Sequence, residues 1–224
     1  MAQIAKLVGE QVKEILRERI LSGELRPGER IALEALKEEL AISATPIRDA
    51  LMALERDGLV RIFPRRGVYV AEIDPQTIRD VYDVRIALES LAVENAVARI
   101  PEERLDILAG FYEDGERVWR EREDLSLIVA HDADIHDLLV EYAGNRVVQE
   151  LTGTLHQRIW WVRRVAGERA KRYERSFAEH KLILHALYER DSAQTTSLVR
   201  EHLQAARDLT LACIQDSPSR SFTQ

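Results

Sequence analysis

A chain of 224 residues that is 46% hydrophobic and 6% aromatic, with ten glycines and six prolines, suits one large or two modest domains built mainly of helix. Its single cysteine, Cys213, excludes an internal disulfide framework. No apolar run approaches the ~20 residues that span a bilayer, and the charged N-terminal stretch lacks a signal-peptide core, so a cytoplasmic chain without membrane contact is expected. The formal charge of −7 excludes a generally basic nucleic-acid binder: residues 1–75 carry 12 basic and 13 acidic side chains, and any such contact must rest on local placement.

Apolar residues Ile4, Leu7, Val8, Val12, Ile15, Leu16 and Ile20 recur at helical spacing, which predicts a first helix to about Leu21. Gly23, Pro27 and Gly28 then mark a turn, and a short helix is expected over Leu33 to Leu40. After a break at "AIS" comes "ATPIRDALMALERDG". Ser43 or Thr45 can cap this helix, Pro46 suits its first turn, Gly58 suits the position past its end, and Ile47, Leu51 and Leu54 form its buried stripe. The segments "LVRIF" and "VYVAEI" around "PRRG" read as two strands and a tight turn. Helix, helix, turn, helix and a two-stranded wing make a winged helix-turn-helix, whose last helix meets base edges with its N-terminal residues. Thr45 and Arg48 point away from the apolar stripe there, and an arginine fork suits a guanine edge or a phosphate. Arg65 and Arg66 beside Gly67 occupy the wing tip, within reach of backbone or minor groove. The bland alternative for any one of these arginines is a solvated charged face, and only the ordered set of elements outweighs it.

The stretches "ILSGELRPGERI", "LKEELAISATPIRDALMALERDGLV" and "PRRGVYV" resemble the DNA-binding head of GntR-family bacterial repressors over about residues 8–72. The resemblance implies that Thr45, Arg48, Arg65, Arg66 and Gly67 hold DNA-contacting positions. It departs at Ala44, where the family usually has arginine, so one base or phosphate contact is expected to be missing.

Asp74 and Pro75 suit the cap and first turn of a new helix reaching about Ile100, and they mark the expected domain boundary. Further helices are expected over about 102–121, 125–142, 146–166, 172–189 and 192–215, with a polar tail over 216–224. Short connections make these six helices an antiparallel bundle, so the whole chain is mainly α. Asp132 and His136 lie four apart and therefore on one helix face. If the segments carrying His180 and His202 are helices joined at Asp191, each histidine lies eleven residues from the turn and an antiparallel hairpin brings them level. Three imidazoles and a carboxylate converging in a bundle core suit a divalent ion such as Zn, Ni or Mn. A lone buried histidine is more often a hydrogen-bonded core residue, and His156 keeps that reading. His131 and His185 are rotated ~100° and ~140° from their neighbours Asp132 and His180.

The stretches "VYDVRIALESLAVENAV", "DADIHDLLVEYAGN" and "EHKLILHALYERDSAQTTSLVREHL" resemble the FCD effector-binding domain of the FadR subfamily over nearly all of 76–210. In many such domains an aspartate and three histidines hold a divalent metal. Matched residue by residue these are Asp132, His136, His180 and His202, with Ile135 in place of a frequent phenylalanine. A metal with open positions can take the carboxylate of a small organic acid. Arg85, which matches the family's arginine shortly before Leu88 and Glu89, is the candidate for the acid's far end. The competing role for Arg85 is an ion pair with Glu89, and Arg158, Arg163 and Arg164 are weaker effector candidates. The resemblance thus implies a homodimeric repressor on an inverted-repeat operator of double-stranded DNA, responsive to a small carboxylate. A constitutive regulator with a structural metal and, further off, a metal-dependent hydrolase are the alternatives.

Overall fold

The fold is taken from a computed structural model that describes residues 2–122, 134–165 and 171–216. Helix α1 (Ala2–Ser22) buries Val12, Leu16 and Ile20 against the third helix. After the turn come strand β1 (Arg30–Ile31), α2 (Leu33–Leu40) and α3 (Ala44–Arg56). Helix α2 stops at Ala41, which adopts a left-handed φ of 52°. In α3 the expected stripe of Ile47, Leu51 and Leu54 is buried, with Ala50 and Pro46. Ser43 occupies the N-cap position of α3, but its side chain makes no capping bond. Gly58 follows the helix with a φ of +74°, a conformation that glycine takes without steric cost.

Strands β2 (Val60–Phe63) and β3 (Gly67–Val70) pair antiparallel with Val60 opposite Val70 and Phe63 opposite Gly67. The wing also contains β1, which pairs with β3, so the sheet order is β1-β3-β2 and three strands replace the expected two. A two-residue strand is too short to leave a periodic signal. Its place depends on Ile31 meeting Val68 across the chain.

Helix α4 (Pro75–Ala96) starts at the cap expected from the sequence: Thr77 N–H donates to Asp74 Oδ1 at 2.7 Å. It ends four residues short of Ile100, and Arg190 Nη1 donates to the carbonyls of both Val97 and Ile100 at 2.7 Å. Among the described residues there follow α5 (Glu102–Arg122), α6 (Asp134–Tyr142), α7 (Arg146–Val165) and α8 (Lys171–Tyr188). The last is α9 (Ser192–Asp216). The expected helix over 125–142 is described only from Asp134, so its first part and Asp132 lie outside the described residues, as does 217–224.

The two halves share a core. Leu16, Ile20, Leu54 and Leu59 of the head cluster with Ile78, Val81 and Tyr82 of α4 and with Ile159, Trp161 and Val162 of α7. A second cluster fills the bundle with Val93, Leu105, Leu108, Ile135, Leu139, Ile183, Leu187, Val199 and Leu203. Junction and bundle therefore meet along α4, which carries Ile78 and Tyr82 at one end and Val93 and Ala96 at the other.

Candidate metal centre and nucleic-acid interface

At the head, Thr45 and Arg48 are exposed on the first turn of α3, outside the buried stripe. Arg65 and Arg66 are exposed at the wing tip. Arg65 adopts a φ of 64°, in the left-handed region, and Gly67 one of 112°. The turn thereby folds back within four residues, from Phe63 to Gly67. Behind it the Phe63 and Tyr69 rings meet edge to face at 5.7 Å, which stiffens the tip. Arg30 Nε lies 3.1 Å from where a Cβ on Gly67 would stand, so a side chain there would press on it as well as strain the backbone.

In the bundle, His136 on α6, His180 on α8 and His202 on α9 converge. All three are buried, and one ligating atom from each lies within 4.8 Å of the others. His180 Nε2 and His202 Nε2 are 3.2 Å apart. Two nitrogens bound to one ion at ~2.0–2.1 Å lie roughly 2.9–3.4 Å apart for right-angled to tetrahedral placement, so this pair fits a shared cation. Tyr112 covers His180 with ring centroids 5.3 Å apart, and Ile135 is the apolar wall beside His136. The three histidines thus fit a divalent ion, while Asp132, the fourth ligand offered by the sequence match, lies outside the described residues.

Behind the rings stand two carboxylates. Glu89 is fully buried; its Oε2 lies 2.5 Å from His136 Nδ1 and its Oε1 accepts from Arg85 Nε at 2.5 Å. Glu179 Oε2 lies 2.8 Å from His202 Nδ1. Burial would raise the Glu89 carboxyl, but the Arg85 guanidinium together with the His136 and His156 rings outweighs it, and Glu89 is held well below the usual carboxylate range. Burial likewise holds His136 down to about 4 against the opposing pull of Glu89, so this imidazole is neutral and able to ligate. His156 on α7 faces Asp137 at 3.1 Å and Glu89 at 3.9 Å. Burial lowers its pKa, and the Asp137 carboxylate together with the nearby Glu89 charge more than reverses this, leaving it raised.

Arg85 lies beside the histidines but is taken up by Glu89, the ion pair that the sequence offered as its competing role. Arg158 is not at the site: its guanidinium packs against Gly58 at the junction of head and bundle. His185 is exposed and points away. The sequence offers Glu89 only as the ion-pair partner of Arg85 and gives no role to Glu179. The i,i+4 spacing of Arg85 and Glu89 was the available signal for the first. Nothing local marks the second, because its partner sits on another helix.

A winged head whose α3 and tip present basic side chains, joined through a common core to a bundle with a buried histidine cluster, is the arrangement of a DNA-binding transcriptional regulator. The profile described as "Bacterial regulatory proteins, gntR family" matches residues 8–70, and that described as "FCD domain" matches residues 80–205. The chain belongs to the GntR family of bacterial regulators, with an FCD domain as its second half. It is 29% identical over 187 residues, 84% of each chain, to the uncharacterized HTH-type transcriptional regulator YdhC of Bacillus subtilis. It is 26% identical over 197 residues to the HTH-type transcriptional repressor RspR of Escherichia coli, covering 88% of this chain and 86% of that one. The structure of McbR/YncC of E. coli superposes with a TM-score of 0.72 at 22% identity, over 92% of this chain and 97% of that one, which shows the common fold. Among the described residues no helix is long and apolar enough to cross a membrane.

Proposed function

We propose that this chain is a cytoplasmic, homodimeric repressor of the FadR subfamily. Its affinity for an inverted-repeat operator is set by a small organic acid bound beside a divalent ion. Asp132, His136, His180 and His202 hold the ion, Zn, Ni or Mn, which supplies a Lewis-acidic anchor for a carboxylate. The observation that carries the reading is the buried triad of imidazoles whose ligating atoms lie within 4.8 Å. Thr45 and Arg48 contact the major groove, while Arg65, Arg66 and Gly67 bring the wing to the backbone or minor groove. A head over residues 1–74 and an effector domain over 75–215 are the working units. The repressor sense draws on the likeness to the E. coli repressor RspR.

Dimerisation is supported by apolar residues left outside on two helices that pack together. Val84 and Leu91 of α4 and Val147 and Leu151 of α7 are each more than 40% exposed. A two-fold pair of such faces also matches a two-fold operator. The coupling element is α4. Ile78, Val81 and Tyr82 are packed into the head's core, and Glu89, touching His136, lies eleven residues beyond Ile78, about 16 Å along one rigid helix. The acid must bind two dispositions of the head unequally to change operator affinity.

Arg85 is the proposed anchor for the acid's far end. Glu89 takes its Nε, and the two terminal nitrogens are the groups an acid would meet. That same ion pair favours a second reading, a structural ion in a constitutive regulator. A thermal-shift screen of mono- and dicarboxylates on metal-loaded and metal-stripped protein separates the two, since a ligand of the native state raises the melting point. A metal-dependent rise with one acid is expected. Stabilisation by metal alone, with no acid adding to it, points to the structural ion.

A further inference from the structure

A neutral imidazole carries one proton and two places for it, and only the Nδ1–H tautomer leaves Nε2 free to ligate. Something must choose the tautomer at each ring of the triad. At His136 the Nδ1 atom lies 2.5 Å from Glu89 Oε2, and at His202 it lies 2.8 Å from Glu179 Oε2. An ionised carboxylate only accepts, so each contact places the ring proton on Nδ1 and turns an Nε2 lone pair inward.

The two contacts are built in the same way. Glu89 Oε1 accepts from Arg85 Nε at 2.5 Å, and Glu179 Oε1 accepts from Arg175 Nε at 2.6 Å. In both cases the arginine precedes the glutamate by four residues, one helical turn, so one oxygen is fixed within the helix. The other oxygen then reaches the histidine of a neighbouring helix: α4 to α6 in the first case, α8 to α9 in the second. The copies differ in setting. Arg85 and Glu89 are both buried, whereas Arg175 is exposed and Glu179 is about a quarter exposed.

We propose that Glu89 and Glu179 are positioning residues, each held by the arginine one turn before it, that fix His136 and His202 in the Nδ1–H tautomer and so preset two nitrogens for a metal. The tautomers stand on the contacts alone, and the consequence for metal rests on the metal reading above. By this inference α4, which supplies none of the proposed ligands, is part of the centre through Glu89. Outer carboxylates of this kind are worth about 10–100-fold in metal affinity.

The test begins without metal. Long-range 15N–1H spectra of the full, metal-stripped chain at pH 8, assigned with single His→Gln variants, should show Nδ1 protonated and Nε2 bare at His136 and His202. An Nε2–H pattern at either ring overturns the proposal for that ring. Glu179→Gln is the decisive variant, because its partly exposed site spares folding where Glu89→Gln leaves Arg85 buried and unmatched. An amide can donate to Nδ1 and release the tautomer. Zn(II) affinity by chelator competition should then fall by about tenfold or more. The metal-free melting temperature should stay near the wild-type value, and Arg175→Gln should give a smaller loss. Zn(II) affinity within twofold of wild type in Glu179→Gln overturns the positioning role. Failure of the wild-type chain to bind Zn(II) or any other divalent ion would instead remove the metal reading, with the spectra still deciding the tautomers.

Discussion

Arg85→Met removes the counter-ion of a carboxylate that has no access to water. The side chains of Arg85 and Glu89 are 5% and 0% exposed, and Arg85 is the largest of the influences that favour the ionised Glu89, ahead of His136. Methionine keeps most of the packing volume, so the loss is mainly electrostatic. Breaking a buried pair by removing one partner costs about 3–5 kcal/mol. In a chain of this length each kcal/mol moves the melting point by about 2–4 °C, so a fall of roughly 6–20 °C is expected. Arg85→Met/Glu89→Leu takes away both charges. Replacing a buried pair by apolar side chains is often near neutral, so most of the stability should return. Metal affinity should not return, because His136 has lost its acceptor. Circular-dichroism melts of the metal-stripped single and double variants measure the first effect, and chelator competition measures the second. A single variant melting within ~2 °C of wild type would refute the counter-ion role and leave Arg85 as a group held in reserve for a ligand.

Arg48→Ala should weaken operator binding by about 1–3 kcal/mol if the arginine grips a base edge; an unchanged footprint and affinity would remove it from the interface. Asp74→Ala deletes the bond to Thr77 N–H at the head of α4 and should cost about 0.5–2 kcal/mol in a denaturant titration, whereas no change would show the cap to be idle. Leu151→Glu places a charge in the exposed apolar face and should shift the chain toward monomer in sedimentation equilibrium while its helical content is kept; a dimer as tight as wild type would put the interface elsewhere. Ile159→Ala opens the core shared by head and bundle and should cost about 2–5 kcal/mol in one cooperative transition. Separate melting of head and bundle would show that the shared core does not couple them.

Local chemistry was readable from the sequence, and cross-chain geometry was not. The Asp74–Pro75 start of α4, the Ile47/Leu51/Leu54 stripe and the left-handed Gly58 each depend on a few neighbouring residues, and each is found in the structure. The level meeting of His180 and His202 followed from equal spacing about one turn, because two antiparallel helices preserve such a count. Strand β1 escaped notice since two residues carry no period. The end of α4 at Ala96 depends on Arg190, over ninety residues away, which holds the carbonyls of the turn beyond it. Glu179 escaped for the same reason: its partner His202 lies across a helix hairpin, and only the side-chain register shows the contact. Arg158, a weaker effector candidate in the sequence, lies only two residues from His156 but faces the head, as does Ile159, whereas His156 faces Glu89, so α7 is divided between the two regions.

Operator affinity in the presence of small acids tests the proposed control most directly. Operator DNA selected from a random pool by the metal-loaded chain would be titrated by fluorescence anisotropy at fixed salt, against Zn(II)-loaded and stripped protein, with and without each mono- or dicarboxylate. Coupling between sites in such proteins is typically 5–150-fold. The expected result is that at least one acid changes Kd by about fivefold or more, and only when the metal is present. A Kd indifferent to every acid in both metal states would contradict control by a carboxylate at the histidine centre.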